Sequence, residues 1–117
     1  MNIVIIDDEP LITEVLTVFM ENKGANVLTF NRAEEGLAHI KTHHKDINAV
    51  VTDYRMPGTV DGGDIYRYIR ANHTHIICFI ISGFIDGNPN GINPEHIIGK
   101  PLDFNDLVER IWASCTE

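Results

Sequence analysis

Three carboxylates and one lysine stand where this chain could handle a phosphoryl group. Asp7 and Asp8 close the apolar run Val4-Ile5-Ile6, Asp53 closes Ala49-Val50-Val51-Thr52, and Lys100-Pro101 follow Ile97-Ile98-Gly99. Carboxylates crowded at one edge repel each other, which raises their pKa values and destabilises the site until a cation enters. Mg2+ suits such a set, because it takes oxygen ligands, retains waters and is typically held by one or two carboxylates plus a substrate phosphate. Asp is also a known type of covalent acceptor, giving an acyl phosphate. Phosphoryl transfer further needs cationic or hydrogen-bonding groups around the equatorial oxygens. Lys100 offers a point charge, Ser82 a hydroxyl, and Gly83 a close backbone approach.

The elements that would position these groups alternate between strand and helix. Ile3–Asp7 is a β-branched run of the kind expected for a strand buried on both faces. Pro10 then suits a first helical turn, capped by Asp8 or Glu9, and Leu11, Ile12, Val15, Leu16 and Phe19 recur at helical spacing before a stop at Gly24. Asn26–Phe30 reads as a second strand, and Ala33, Leu37 and Ile40 as the inner stripe of a second helix reaching about His43. Ile47–Asp53 is a third strand. Pro57-Gly58 and Asp61-Gly62-Gly63 mark a loop. A helix over about Asp64–Asn72 follows, with Ile65, Tyr68 and Ile69 inward, then strands at Ile76–Ile81 and Ile97–Gly99. Asp103 caps a last helix carrying Leu107, Val108, Ile111 and Trp112. Such alternation implies parallel βαβ units with helices on both faces, and ligands outside the carboxyl ends of the strands. Residues Gly83–Glu95 break the pattern: with three Gly, two Pro and three Asn, they predict a mobile loop or at most one turn.

Composition narrows the alternatives. The 117 residues fit one domain, 44% hydrophobic, with net charge −8. The few Lys and Arg form no basic stripe, which argues against a nucleic-acid surface. No apolar stretch reaches membrane-span length and no signal peptide opens the chain. Cys78, inside an apolar run, reads as a buried small hydrophobe, and Cys115 as terminal; with no disulfide framework, a reduced cytoplasmic setting is expected. Six histidines invite a metal reading, but neither His39/His43 nor His73/His75 has a third ligand at a convincing spacing. Glu9 and Asp61 read as solvated acids. Taken singly, Asp7-Asp8 could merely end a strand and cap a helix, and Asp53 could be a turn residue.

Together the motifs Ile-Ile-Asp7-Asp8-Glu-Pro, Thr-Asp53-Tyr-Arg-Met56-Pro57-Gly58, Ile-Ser82-Gly83 and Lys100-Pro101 resemble the receiver domain of two-component response regulators, in the same order and over nearly the whole chain. The resemblance implies a flavodoxin-like, doubly wound α/β fold. Its five-stranded parallel sheet has order 2-1-3-4-5, with the fourth helix here shortened or missing. The chain is expected to be a single receiver domain over 1–117 with no effector domain, or a fragment cut from a larger regulator or hybrid kinase. Asp53 would accept phosphate from a histidine kinase or a histidine phosphotransfer protein. Asp8, Asp53 and the backbone carbonyl of Arg55 would ligate Mg2+, with Asp7 acting through a water or orienting the set. Ser82 would contact the phosphoryl group and shift on activation, and Lys100 would pair with the carboxylate and then the phosphate. The domain would be a signalling module rather than an enzyme, with self-catalysed phosphotransfer and slow autodephosphorylation, and its output would pass to a protein target.

Two other functions fit parts of the pattern. A receiver-like interaction module could work without phosphorylation. An Asp-nucleophile phosphohydrolase would generally show Asp-x-Asp and a cap domain, whereas this pair is adjacent. The chain departs from the receiver pattern in having Ile97 where an aromatic is usual, in the short span from Ser82 to Lys100, and in a Pro57–Gly63 loop about one residue longer. Tyr54, Arg55 and Phe84 are expected to border the site.

Overall fold

The apolar runs become five parallel strands, β1 (Asn2–Ile6), β2 (Asn26–Phe30), β3 (Ala49–Asp53), β4 (Ile77–Ser82) and β5 (Ile97–Gly99), in the order β2-β1-β3-β4-β5. The computed structural model describes residues 1–83 and 92–116. Within them run the helices α1 (Pro10–Asn22), α2 (Ala33–His43), α3 (Gly62–Asn72) and α4 (Phe104–Thr116). This is the flavodoxin-like sheet that the alternating pattern and the resemblance predict. The expected loop over Gly83–Glu95 falls mostly on residues 84–91, which lie outside the described residues, as does Phe84. Pro94–His96 forms one 3-10 turn. Among the described residues no helix is long and apolar enough to cross a membrane.

Strand alternation divides the core into two layers. Ile3 and Ile5 face α1 and α4, packing with Leu16, Met20, Leu107 and Ile111. Val4 and Ile6 face α2 and α3, packing with Ile40, Ile65, Tyr66 and Ile69. Fully burying one such aliphatic side chain contributes roughly 2 kcal/mol, so these layers, rather than surface ion pairs, hold the sheet. Cys78 is buried in the second layer, as its apolar run predicts.

Several boundaries differ from the sequence-based expectation, each for a local reason. β1 stops at Ile6; the Asp7 backbone N–H still donates to Phe30 O at 3.0 Å, but the chain then turns away. β4 runs to Ser82, because Ser82 pairs with Gly99 and its carbonyl accepts from Lys100 N at 3.0 Å. The third helix starts at Gly62 rather than Asp64. Asp61, read as a solvated acid, is its cap: Asp61 Oδ1 accepts from Asp64 N (2.9 Å) while Asp64 Oδ2 accepts from Asp61 N (3.0 Å), a reciprocal capping box. The inner face of α3 carries Tyr66, fully buried, in the place expected for Tyr68, which is only half-buried. Asp103 caps α4 as predicted, accepting from Asp106 N at 3.0 Å.

Candidate phosphoryl-transfer site

Parallel strands deliver their carboxyl ends to a single edge, and the candidate residues gather there. Asp7 and Asp8 follow β1, Asp53 ends β3, Ser82 ends β4 and Lys100 follows β5. Carboxylate oxygens of Asp7, Asp8 and Asp53 all lie within 4.8 Å of one another. Lys100 Nζ stands 3.6 Å from Asp53 Oδ1. Ser82 is buried on the strand beside Asp53, one residue past its register partner Ile81. Arg55 is exposed, two residues beyond Asp53 in the loop after β3. An open cleft of about 380 Å³ borders the set, lined by Asp7, Asp8, Phe30, Asn31 and Glu35 among others.

With this geometry in view, the comparison with known proteins is decisive: the family model for the response regulator receiver domain matches residues 3–112. The chain belongs to the response regulator receiver family. The regulatory protein VanRc of Enterococcus gallinarum is 32% identical over 108 residues, covering 92% of this chain and 42% of VanRc. The transcriptional regulatory protein AruR of Pseudomonas aeruginosa is 28% identical over 115 residues, covering 92% of this chain and 46% of AruR. The chain thus spans less than half the length of these relatives. Among solved structures, a response regulator receiver domain protein from Clostridium thermocellum superposes with TM-score 0.81 at 28% identity, covering 97% of this chain and 93% of that one. The CheX-CheY-BeF3-Mg2+ complex from Borrelia burgdorferi gives TM-score 0.83 at 24% identity, covering 99% and 90%, a likeness of fold.

The receiver edge is electrostatically frustrated in a way that its burial explains. Asp7 is 1% exposed, and burial pushes its carboxyl up to about 6, despite the hydrogen bond that Oδ1 accepts from Glu9 N at 2.8 Å. Its Oδ2 is buried without a hydrogen-bond partner. Burial also raises Asp53, only partly offset by Lys100, and Asp8 adds repulsion. Partial burial disfavours the Lys100 charge, yet Asp53, Glu9 and Asp7 outweigh it and hold the ammonium above its ordinary value. An orphaned carboxylate oxygen within reach of two further carboxylates is a donor set that fits a hard divalent cation.

Three supports of the receiver site escape sequence reading. Glu9 Oε1 lies 3.4 Å from Lys100 Nζ, so this exposed acid shares the lysine with Asp53. Gly62 packs its Cα against Asp53 O and Tyr54: an added Cβ would collide with that carbonyl and come within 2.9 Å of Tyr54 Cα. Glu34, on α2, ties down the loop after β3, accepting from Thr59 N (2.9 Å) and Val60 N (3.3 Å), and Gly58 above it takes φ +110, a region disfavoured for side-chain-bearing residues. Only a contact across 25 residues identifies Glu34, and nothing local in the sequence carries it. At Gly83, an added Cβ would meet nothing within 4 Å among the described residues.

Proposed function

We propose that this chain is a phosphoacceptor in a two-component or phosphorelay pathway, taking a phosphoryl group from a phosphohistidine onto Asp53. The observation that carries the reading is the convergence of Asp7, Asp8 and Asp53 oxygens within 4.8 Å, beside a lysine 3.6 Å from the Asp53 carboxylate. Asp53 Oδ attacks phosphorus, the O–P bond forms, the P–N bond to the donor histidine breaks, and its electron pair returns to the imidazole. Lys100 moves from carboxylate to phosphoryl oxygen, and Ser82 donates to another. Asp8, Asp53 and the Arg55 carbonyl would hold Mg2+, with Asp7 orienting the set or acting through a water. Bound there, Mg2+ would neutralise charge on the carboxylates and the incoming phosphoryl group. The Borrelia neighbour of like fold is a complex with BeF3 and Mg2+, which supports the same chemistry here.

The donor is a histidine kinase or histidine phosphotransfer protein. An apolar groove of about 340 Å³ opens beside Lys100, lined by Leu11, Val15, Pro101, Leu102 and Phe104, with Leu11 70% exposed. A protein donor could lie on it while presenting its histidine to Asp53. The acyl phosphate then hydrolyses slowly, and output passes by protein contact.

Incubation with a small phosphodonor and Mg2+, read by intact mass, tests the proposal. Wild type gains one phosphoryl group and Asp53→Asn gains none. Equal gain in both, or none in wild type, overturns it. The latter result would favour an interaction module working without phosphorylation, the reading to which Ile97 at the usual aromatic position points.

A further inference from the structure

In the sequence, His73 and His75 form a pair without a third ligand; the fold supplies one. His44, first residue of the 3-10 turn after α2, reaches the α3–β4 connection that carries the other two. Ring centroids are 4.0 Å apart for His44–His73, 6.1 Å for His73–His75 and 6.3 Å for His44–His75. The cluster sits before β3 and β4, at the amino edge of the sheet, about one strand length from Asp53. Three imidazoles around a tetrahedral cation at ordinary metal–nitrogen distances have ring centres roughly 5 Å apart, so binding would open the His44–His73 stack and draw His75 inward.

The outer ring nitrogens give a second, independent sign. His75 Nε2 is 2.8 Å from His44 O, so the proton sits on Nε2 and the Nδ1 lone pair is left for a ligand. His73 Nε2 is 3.2 Å from the Tyr68 hydroxyl, which can accept from it or donate to it; in the tautomer with the proton on Nε2, Nδ1 is left for a ligand. Metal-binding histidines commonly anchor the non-ligating nitrogen on a protein oxygen in this way. No hydrogen bond among the described residues holds the His44 ring, which stacks on His73 with an interplanar angle of 12°. Asp7, Asp8 and Asp53 are the described group whose ligand atoms already converge; for the histidines, ligation requires the half-exposed His44 ring to leave its stack on His73 and turn about its side-chain bonds.

We propose that His44, His73 and His75 bind a transition-metal cation of the Zn2+ class, with solvent completing the coordination. Imidazole suits Zn2+, Cu2+ and Ni2+ rather than Mg2+, so this site would differ in ligand chemistry from the acidic edge. The bound cation would clamp the α2–β3 turn to the α3–β4 connection.

The test is calorimetric titration of the whole chain with Zn2+ in excess Mg2+, with histidine ring resonances followed by NMR. The expected result is one Zn2+ per chain, with the His44, His73 and His75 resonances shifting together. Affinity should fall by about tenfold or more in His73→Ala and in His75→Ala, and stay unchanged in His39→Ala. His75 is exposed, so its variant carries the test should the half-buried His73 prove necessary for folding. Shifts at His39 and His43 instead, affinity unchanged in His75→Ala, or no binding below millimolar Zn2+ would each overturn the proposal.

Discussion

Asp7 concentrates the tension of the acidic edge in one residue. Its carboxyl has a raised pKa of about 6, against 3.8 for a free Asp, chiefly through burial. The folded chain therefore holds this proton more tightly than the unfolded chain does. The stability this confers is complete below about pH 3.8 and is lost as pH rises through about 6. Asp53 is shifted in the same direction, so it adds to the loss of stability of the metal-free protein as pH rises. Asp7→Asn removes the charge and keeps an oxygen to accept from Glu9 N. In Mg2+-free buffer at pH 7 it should be more stable than wild type by on the order of 2 kcal/mol, with the difference closing near pH 4. Urea unfolding at both pH values measures this, and an equal effect at both would show that charge is not the cause. Mg2+ should narrow the gap at pH 7 by stabilising wild type selectively. The sequence showed that two adjacent carboxylates end a strand. It did not show that Asp7 is buried while Asp8 is exposed, because that depends on where the β1–β2 ladder ends.

At the scale of elements, the start of α3 sets the backbone of Asp53. Asp61 caps the helix, and Gly62 lets the first turn lie directly on Asp53 O. These two adjacent residues should separate stability from chemistry. Asp61→Ala removes one half of the capping box, costing about 1 kcal/mol, but it leaves the Gly62 contact intact, so phosphoryl uptake should proceed at nearly the wild-type rate. Gly62→Ala drives a methyl group into the Asp53 carbonyl. It should cost about 1–3 kcal/mol and slow uptake at Asp53 as well. Urea midpoints and the initial rate of mass gain with a small phosphodonor read the two effects, and slowing of equal size in both variants would contradict the contact argument. Strand positions and the β2-β1-β3-β4-β5 arrangement were legible because buried parallel strands are near-continuous apolar runs and the motifs fixed their order. The early start of α3 was not legible: Gly62-Gly63 lowers helix propensity, and a reciprocal cap and tertiary contact overrode it.

For the whole molecule, the open question is how the acidic edge reaches a partner without an aromatic at position 97. Ile97 is half-buried against the α2/α3 layer, and the adjacent His96 carries a different link. The hydroxyl of buried Tyr66 lies 2.7 Å from His96 Nδ1 and accepts from Asn93 N at 3.3 Å. Phe79 meets the His96 ring edge-on, with the Arg110 guanidinium over the Phe79 ring, and Arg110 donates to Glu95 O at 2.8 Å. Thus α3, whose first turn rests on Asp53, is tied to the entrance of β5, whose exit carries Lys100, and to α4. Helical spacing points to Tyr68 on the inner face, whereas the packed fold buries Tyr66 and leaves Tyr68 half-buried. Tyr66→Phe keeps the ring and deletes the link, leaving His96 Nδ1 and Asn93 N without their partner, so stability should fall by about 1–2 kcal/mol. Because the loss is local to the β5 edge, amide exchange should accelerate more at Ile98 and Lys100 than at Val50 in central β3. The acidic set is untouched, so a small phosphodonor should still add one phosphoryl group. Exchange accelerated equally at all three amides would mean that the hydroxyl supports only global stability. Selective acceleration with uptake intact would identify Tyr66–His96 as a joint between the acidic edge and the β5–α4 surface.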